Sequence, residues 1–307
     1  MRSDLGHLPA RQQRELERVR DRLLSGFEAA LARGGGATSD WRRSGRVLKL
    51  LLFGSYARND WVDAPDTGYQ SDFDILAIVS HPALADVADY WWEAEDAILR
   101  DPEVGRTVNV IVHTMAEVNA ALLKSEPFWT DIIADGIALH EAPGHPFVTP
   151  APLSPEQAAE TAERHFAEWL PRVDSAIDLA GYALSKAQLR DAAFLLHQVT
   201  ERLYICFLLV HTAYYPRSHN VRFLRSLAED VEKRLVAAWP RDTRADRRRF
   251  ELLKRAYVEA RYSDQYEIGP EDLSALEGTC RSLRDTVESL CRARVRQLRA
   301  ALGDMSL

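Results

Sequence analysis

The chain has 307 residues, 46% hydrophobic and 28% charged, which argues against disorder or a fibre and is too long for one typical core, so two domains are expected. Charge divides unevenly, with 15 Lys and Arg against 23 Asp and Glu in residues 1–150 and 24 against 23 in residues 151–307. An acidic first half suits a site that collects metal cations and a mildly basic, Arg-rich second half suits phosphates, but neither balance identifies nucleic acid as a partner.

In chain order, residues 9–33 carry Leu16, Val19, Leu23, Phe27 and Leu31 at three- and four-residue steps, an amphipathic helix that ends in Gly34-Gly35-Gly36. Residues 47–53 (VLKLLLF) form a buried strand stopped by Gly54-Ser55, and residues 73–79 (FDILAIV) form a second. The polar loop between them contains Asp60, Asp63, Pro65, Asp66 and Gly68. Residues 86–99 are expected to be a helix and 107–113 (TVNVIVH) a third strand, so the first half is an α/β unit. A Pro-rich stretch at 142–154 is the expected linker between a domain at 1–141 and another at 155–307. After it the pattern is helical throughout, near 156–185, 189–212, 219–239, 244–260 and 270–302, which makes a bundle and an α+β protein as a whole.

Cys206, Cys280 and Cys291 are odd in number and lack C-x-x-C spacing, so buried or free thiols in a reducing compartment are expected. The Arg-rich N-terminus has no apolar signal core, and the most apolar helical stretch, 192–210, is interrupted by His197, Gln198, Glu201 and Arg202. A soluble cytoplasmic protein with no membrane partner is the expectation.

Asp72 and Asp74 stand two apart in a strand, so both carboxylates leave the same face of the sheet. Adjacent carboxylates repel unless a cation lies between them, and Mg²⁺ (or Mn²⁺) in nucleotidyl transfer is such a cation, held by one or two carboxylates and the substrate phosphates. Gly54 lets the backbone approach a triphosphate, the Ser55 hydroxyl can donate to it, and Arg58 can pair with a phosphate. Together these segments, LLFGSYARNDW followed by GYQSDFDILAIV, resemble the G-S-x-A-R-G … S-D-x-D pattern of the minimal nucleotidyltransferases of the polymerase-β superfamily over residues 40–115. The resemblance implies a mixed sheet with helices on one side and transfer of a nucleoside monophosphate from an NTP, expected to be ATP, with loss of pyrophosphate. By the same resemblance Gly54 and Ser55 hold the triphosphate, and Asp72 and Asp74 hold the metal. Two positions depart from the pattern: Asn59 replaces a glycine, and the strand that often brings a third carboxylate offers Asn109 and His113 instead. Asn109 can ligate through its carbonyl but cannot serve as a general base.

The second half resembles the HEPN domain over residues 158–298, through DAAFLLHQVTERLYICFLLVHTAYYPRSHNVRFLRSLA and AYVEARYSDQYEI. HEPN modules are often fused to minimal nucleotidyltransferases, and they often pair through their helices, which implies a homodimer as one arrangement. The bundle is expected to form part of the substrate cleft for an acceptor that is a small molecule, a protein or an RNA. Some members are ribonucleases with an Arg-x(4-6)-His motif. Arg190 and His197 have that spacing but sit at the start of an early apolar helix, so cleavage is disfavoured. A catalytically weakened nucleotide sensor or RNA-binding regulator is the alternative to the enzyme. Candidate residues on this side are Glu201, which can bond to His197 one turn away, and the cluster Arg261, Tyr262 and Tyr266, which can stack a base and bind phosphate. His219-Asn220 is expected to cap a helix, and the run from Arg241 to Arg249 to be a solvated face.

Overall fold

The two apolar runs are strands β1 (Val47–Phe53) and β2 (Phe73–Val79), and every residue of both is buried. Strands apolar on both faces belong at the centre of a covered sheet. They are flanked by β3 (Val108–Thr114) and β4 (Ile137–Glu141) in the order β3-β2-β1-β4. β1 runs antiparallel to β2 and β4, whereas β2 and β3 are parallel, so the sheet is mixed. The structure, a computed structural model, describes residues 1–33, 40–64, 69–151, 154–216 and 218–304, and these form two compact units that divide near residue 152. The glycines 34–36 and Pro65, Asp66 and Gly68 lie outside the described residues.

Helix α1 (Ala10–Arg33) buries Leu16, Val19, Leu23 and Phe27, the stripe its periodicity marks. It packs closely on α2 (Trp92–Leu99): a Cβ on Gly26 would lie 2.7 Å from the Cβ of Ala94, so the contact depends on a residue without a side chain. The single helix expected over 86–99 is broken at Trp91, which has φ −120° and is fully buried with its indole N–H donating to the Leu84 carbonyl at 2.8 Å. Among the elements of five or more residues, three escape the sequence reading: α3 (Met115–Leu123), α4 (Pro127–Asp135) and β4. Two carry signals that could have found them, a capping box between Thr114 and Glu117 and Pro127 in the first helical turn.

The second unit is helical: α5 (Pro155–Ser185), α6 (Leu189–Thr212), α7 (Val221–Val231), α8 (Arg244–Tyr262) and α9 (Pro270–Asp304). The helix expected over 219–239 ends instead at Val231, where Glu232 turns extended and a 3-10 segment, Lys233–Ala238, follows. α6 is the central rod and packs on each of the other four helices. It is long and apolar enough to cross a membrane, but 78% of its apolar window is buried in the bundle, consistent with a soluble core helix. Cys206, Cys280 and Cys291 are buried free thiols. The Arg241–Arg249 run is an ion-paired face, with Arg241 on Glu229 at 3.0 Å and Arg248 and Arg249 on Asp272 at 2.6 and 3.3 Å.

Candidate functional site

In the sheet unit, Phe53 at the end of β1 stands opposite Asp74 of β2, so the turn at Gly54-Ser55 leaves the sheet beside the two carboxylates. Gly54 takes φ 73° and ψ −153°, a conformation essentially limited to glycine. Its carbonyl accepts the amides of Ala57 and Arg58, each at 3.1 Å, which starts the single helical turn Ser55–Arg58. Asn59 closes that turn at φ 66° and ψ 30°, so the asparagine takes the left-handed position that glycine usually fills. Tyr56 anchors the turn from below: it packs edge-on to Phe73, stacks on Trp61, and accepts a bond from Arg106. Burial pushes its phenol up to about 12, so it stays protonated. Arg106 is held in turn by Glu15, Nε to Oε2 at 2.8 Å, with both side chains buried. Arg58 is a third exposed, with Nε 3.3 Å from Asp60 Oδ2.

Asp72, just before β2, and Asp74 within it are only 7% and 1% exposed, so neither is an ordinary solvated residue. Buried carboxylates require partners. The parallel register sets Asn109 of β3 directly beside Asp74, and Asn109 Nδ2 donates to Asp74 Oδ1 at 3.0 Å and to Asp72 Oδ2 at 3.3 Å. Among the described residues no third Asp, Glu, His or Cys completes a metal-binding group with them. His113 lies elsewhere, 3.6 Å from Glu117 and edge-on to Trp129. The donor set is therefore two carboxylates and one amide, all capable of offering oxygen. It fits a hard cation such as Mg²⁺ or Mn²⁺ that takes its remaining ligands from triphosphate oxygens and water.

In the helical unit a cleft of about 530 Å³ is lined by Trp169, Arg172, Gln198, Glu201, Arg202 and His219, among others. Glu201 of α6 is 7% exposed, and both its oxygens lie 3.1 Å from Nδ1 of His219. Burial pushes this carboxyl up, and the bond from His219 pulls it back down. The His219 ring lies flat on Tyr257, with centroids 4.4 Å apart. A carboxylate on Nδ1 fixes the proton there and leaves Nε2 as the acceptor.

Several expectations on this side change. Glu201 bonds to His219 rather than His197, whose Nδ1 is 3.8 Å away, beyond hydrogen-bond reach. His197 is fully buried; among the described residues neither ring nitrogen meets a partner in hydrogen-bond geometry, and burial lowers it to about 4 against a smaller opposing pull from the His219 backbone. His219 was missed because it lies 18 residues from Glu201 in sequence, a spacing that carries no signal; only Asn220 caps the helix, accepting from the amides of Arg222 and Phe223. Arg190 donates to the carbonyls of Glu259, Ala260 and Ser263 and so secures the end of α8, which leaves Arg190 and His197 without the geometry of a cleaving pair. Arg261 lies over the rings of Phe194, Tyr257 and Tyr262 at 4.8, 4.6 and 4.8 Å, and Tyr262 is 75% exposed. Tyr266 does not join that surface: it is 2% exposed, and its hydroxyl donates to the Leu252 carbonyl at 3.0 Å.

A family model of the HEPN domain matches residues 166–295. No curated protein matches the chain. The helical unit thus carries a HEPN domain, which fits a nucleotide-related or RNA-related role, and the mixed sheet of the first unit is compatible with a nucleotidyltransferase domain.

Proposed function

We propose that this chain, with its HEPN domain at residues 166–295, binds a nucleoside triphosphate with Mg²⁺ in the sheet unit and transfers a nucleoside monophosphate to a hydroxyl acceptor. The observation that carries the reading is the register of β1 and β2, which sets the glycine-only turn at Gly54-Ser55 beside the buried pair Asp72 and Asp74. In this reading Asp72 and Asp74 hold the metal, Ser55 donates to phosphate oxygens, and Arg58 leaves Asp60 to pair with a phosphate. When bound, Mg²⁺ offsets the charge that builds on the phosphorus centre. The acceptor oxygen bonds to the α-phosphorus, the α–β anhydride breaks, and pyrophosphate departs with its electron pair. The acceptor proton leaves to solvent, because Asn109, the β3 residue beside the carboxylates, cannot take it. ATP is the expected nucleotide; the acceptor is a small molecule, a protein or an RNA. The test is Mg²⁺-dependent release of pyrophosphate from ATP, with cell extract as the source of acceptor. Binding without release against every extract would end the transferase reading.

A second reading has its own observation. The Asn109 amide between two carboxylates suits a regulator that binds nucleotide without turning it over. For this reading ATP binding by calorimetry persists while pyrophosphate release is nil, and the HEPN domain, with its cleft at Glu201 and His219, provides the output towards RNA or nucleotide. Cleavage by Arg190 and His197 has no geometric support.

A further inference from the structure

Asp72 and Asp74 converge on one side chain, the Asn109 amide, through bonds of 3.0 and 3.3 Å from the same nitrogen. The orientation of that amide follows from chemistry: its oxygen turned towards two carboxylates would be repelled, so the N–H₂ end must face them. All three side chains are at most 7% exposed, so these hydrogen bonds lie in a largely dewatered setting, and a hydrogen bond to an ionised carboxylate is about twice as strong as a neutral one. The two N–H groups therefore do part of the work of a cation, because each meets one carboxylate and the repulsion between them is offset.

We propose that Asn109 is a stand-in for the metal that makes metal entry depend on the nucleotide. The inference rests on the metal–triphosphate reading above. A bare divalent ion entering between Asp72 and Asp74 must break both amide bonds and would then face the N–H₂ end. Unless the amide turns its carbonyl inward, the ion gains two carboxylates and meets a misdirected dipole. A metal that arrives on a triphosphate brings several oxygens of its own, which is the way Mg²⁺ is ordinarily held by few protein ligands. Wild-type protein thus has little affinity for the free ion and accepts the metal–nucleotide complex, with Asn109 turning to offer its carbonyl. The residue sets the order of binding, and it does so from the strand position where a carboxylate would instead attract the free ion.

Three forms of the full chain test this: wild type, Asn109→Asp and Asn109→Leu. Free Mn²⁺ is titrated with detection by electron paramagnetic resonance, and thermal unfolding is followed with and without Mn²⁺. For Asn109→Asp, affinity for free Mn²⁺ rises at least roughly tenfold over wild type, since three carboxylates now converge. Its metal-free melting temperature falls by on the order of 5 °C, and Mn²⁺ restores it. Asn109→Leu, which removes the donor without adding charge, also melts lower without metal and is also rescued, while wild type gains little from Mn²⁺ alone. Equal Mn²⁺ affinity in wild type and Asn109→Asp, or metal-free melting unchanged in both variants, would overturn the inference. Should either variant be too unstable to purify without metal, its recovery only when Mn²⁺ is present counts as the rescue, and failure to recover it with Mn²⁺ counts against. Wild-type binding of Mg²⁺ with ATP is measured separately by calorimetry. If that binding is absent while the variants behave as stated, the nucleotide reading and the nucleotide-dependent order of binding both fail, and only the bonding of Asn109 to the two carboxylates in place of a metal stands.

Discussion

Asp72 and Asp74 in the sheet unit and Glu201 in the helical unit are all nearly buried carboxylates, yet the first two face an amide and the third an imidazole. An amide carries no charge to gain or lose in the physiological range. In the sheet site the hydrogen-bond donor shared by the two carboxylates is therefore a group without charge. At Glu201, burial raises the carboxyl against the bond from His219, so that group is sensitive to protons. In the proposed reading the sheet unit exchanges a hydrogen-bonded amide for a cation, while the helical unit holds a histidine against a buried carboxylate at the wall of a cleft.

The largest expected effect breaks the first half of this contrast. Asp72→Ala or Asp74→Ala removes a carboxylate that the proposed function assigns to the metal. Loss of residues that merely orient metal ligands costs about 10–100-fold, so loss of a ligand itself is expected to exceed roughly 100-fold in Mg²⁺-dependent ATP binding. Calorimetry with ATP and Mg²⁺ reads it. Both variants should retain the wild-type circular dichroism of the helical unit, and near-wild-type ATP affinity in either would separate these carboxylates from nucleotide binding.

The next effect sharpens the proton-sensitive side. Burial lowers His197 to about 4 and His211 to about 4, so each is neutral in the folded state over a range in which the unfolded chain binds a proton. Stability from this source is full above about pH 6.5 and is lost as pH falls towards 4, about 3 kcal/mol for each residue across the window. Around His197 lie His219, Arg261, Glu201 and Tyr257; the first two add positive charge that opposes its protonation, and the buried Glu201, with its raised carboxyl, has the opposite dependence. Urea unfolding between pH 7 and 4.5 should show the decline, and His197→Phe should make it shallower. An identical slope in that variant would remove His197 as a source.

How much of this was legible in the sequence depended on the range of the interaction. The helical stripe of α1, the central strands and four of the five bundle helices are set by local periodicity and could be read directly, whereas α7, expected to reach 239, stops at Val231. The carboxylate pair and its glycine turn were readable because they lie on neighbouring strands in a fixed order. Asn109 was visible as a departure, but its double bond to Asp72 and Asp74 came only with the parallel register of β2 and β3. The Glu201–His219 pair was invisible, since it joins a helix to the loop before α7 and no spacing rule connects them. Tyr266 was misjudged for a related reason: sequence showed a tyrosine after a helix, while the turn it belongs to folds its hydroxyl back onto the Leu252 carbonyl.

A smaller effect concerns the backbone that brings the first site together. Gly54→Ala places a Cβ on a residue at φ 73° and ψ −153°, so the turn must distort, at a cost of about 1–3 kcal/mol. Urea denaturation would show that loss, and ATP affinity should fall with it, because Ser55 moves with the turn. A variant as stable as wild type would mean the turn relaxes freely and does not define the site.

The smallest expected effect tests whether His219 serves Glu201 as the geometry implies. His219→Ala leaves the carboxylate facing the cleft without its imidazole donor, at a cost of about 1–2 kcal/mol near neutral pH. The bond from His219 holds the Glu201 carboxyl down, so its removal lets burial raise that group further. A carboxyl raised in the folded state destabilises as pH climbs above its unfolded value, so the variant should lose most at pH 7 and least below about pH 4.5, where Glu201 is protonated in both states. His219→Gln, which keeps an N–H donor without a titratable ring, should recover part of the loss at pH 7 and be less sensitive to pH. Urea unfolding of the three proteins at pH 7 and at about pH 4.5 decides the matter. A loss equal at both values would assign the effect to the flat contact between His219 and Tyr257 instead of the hydrogen bond.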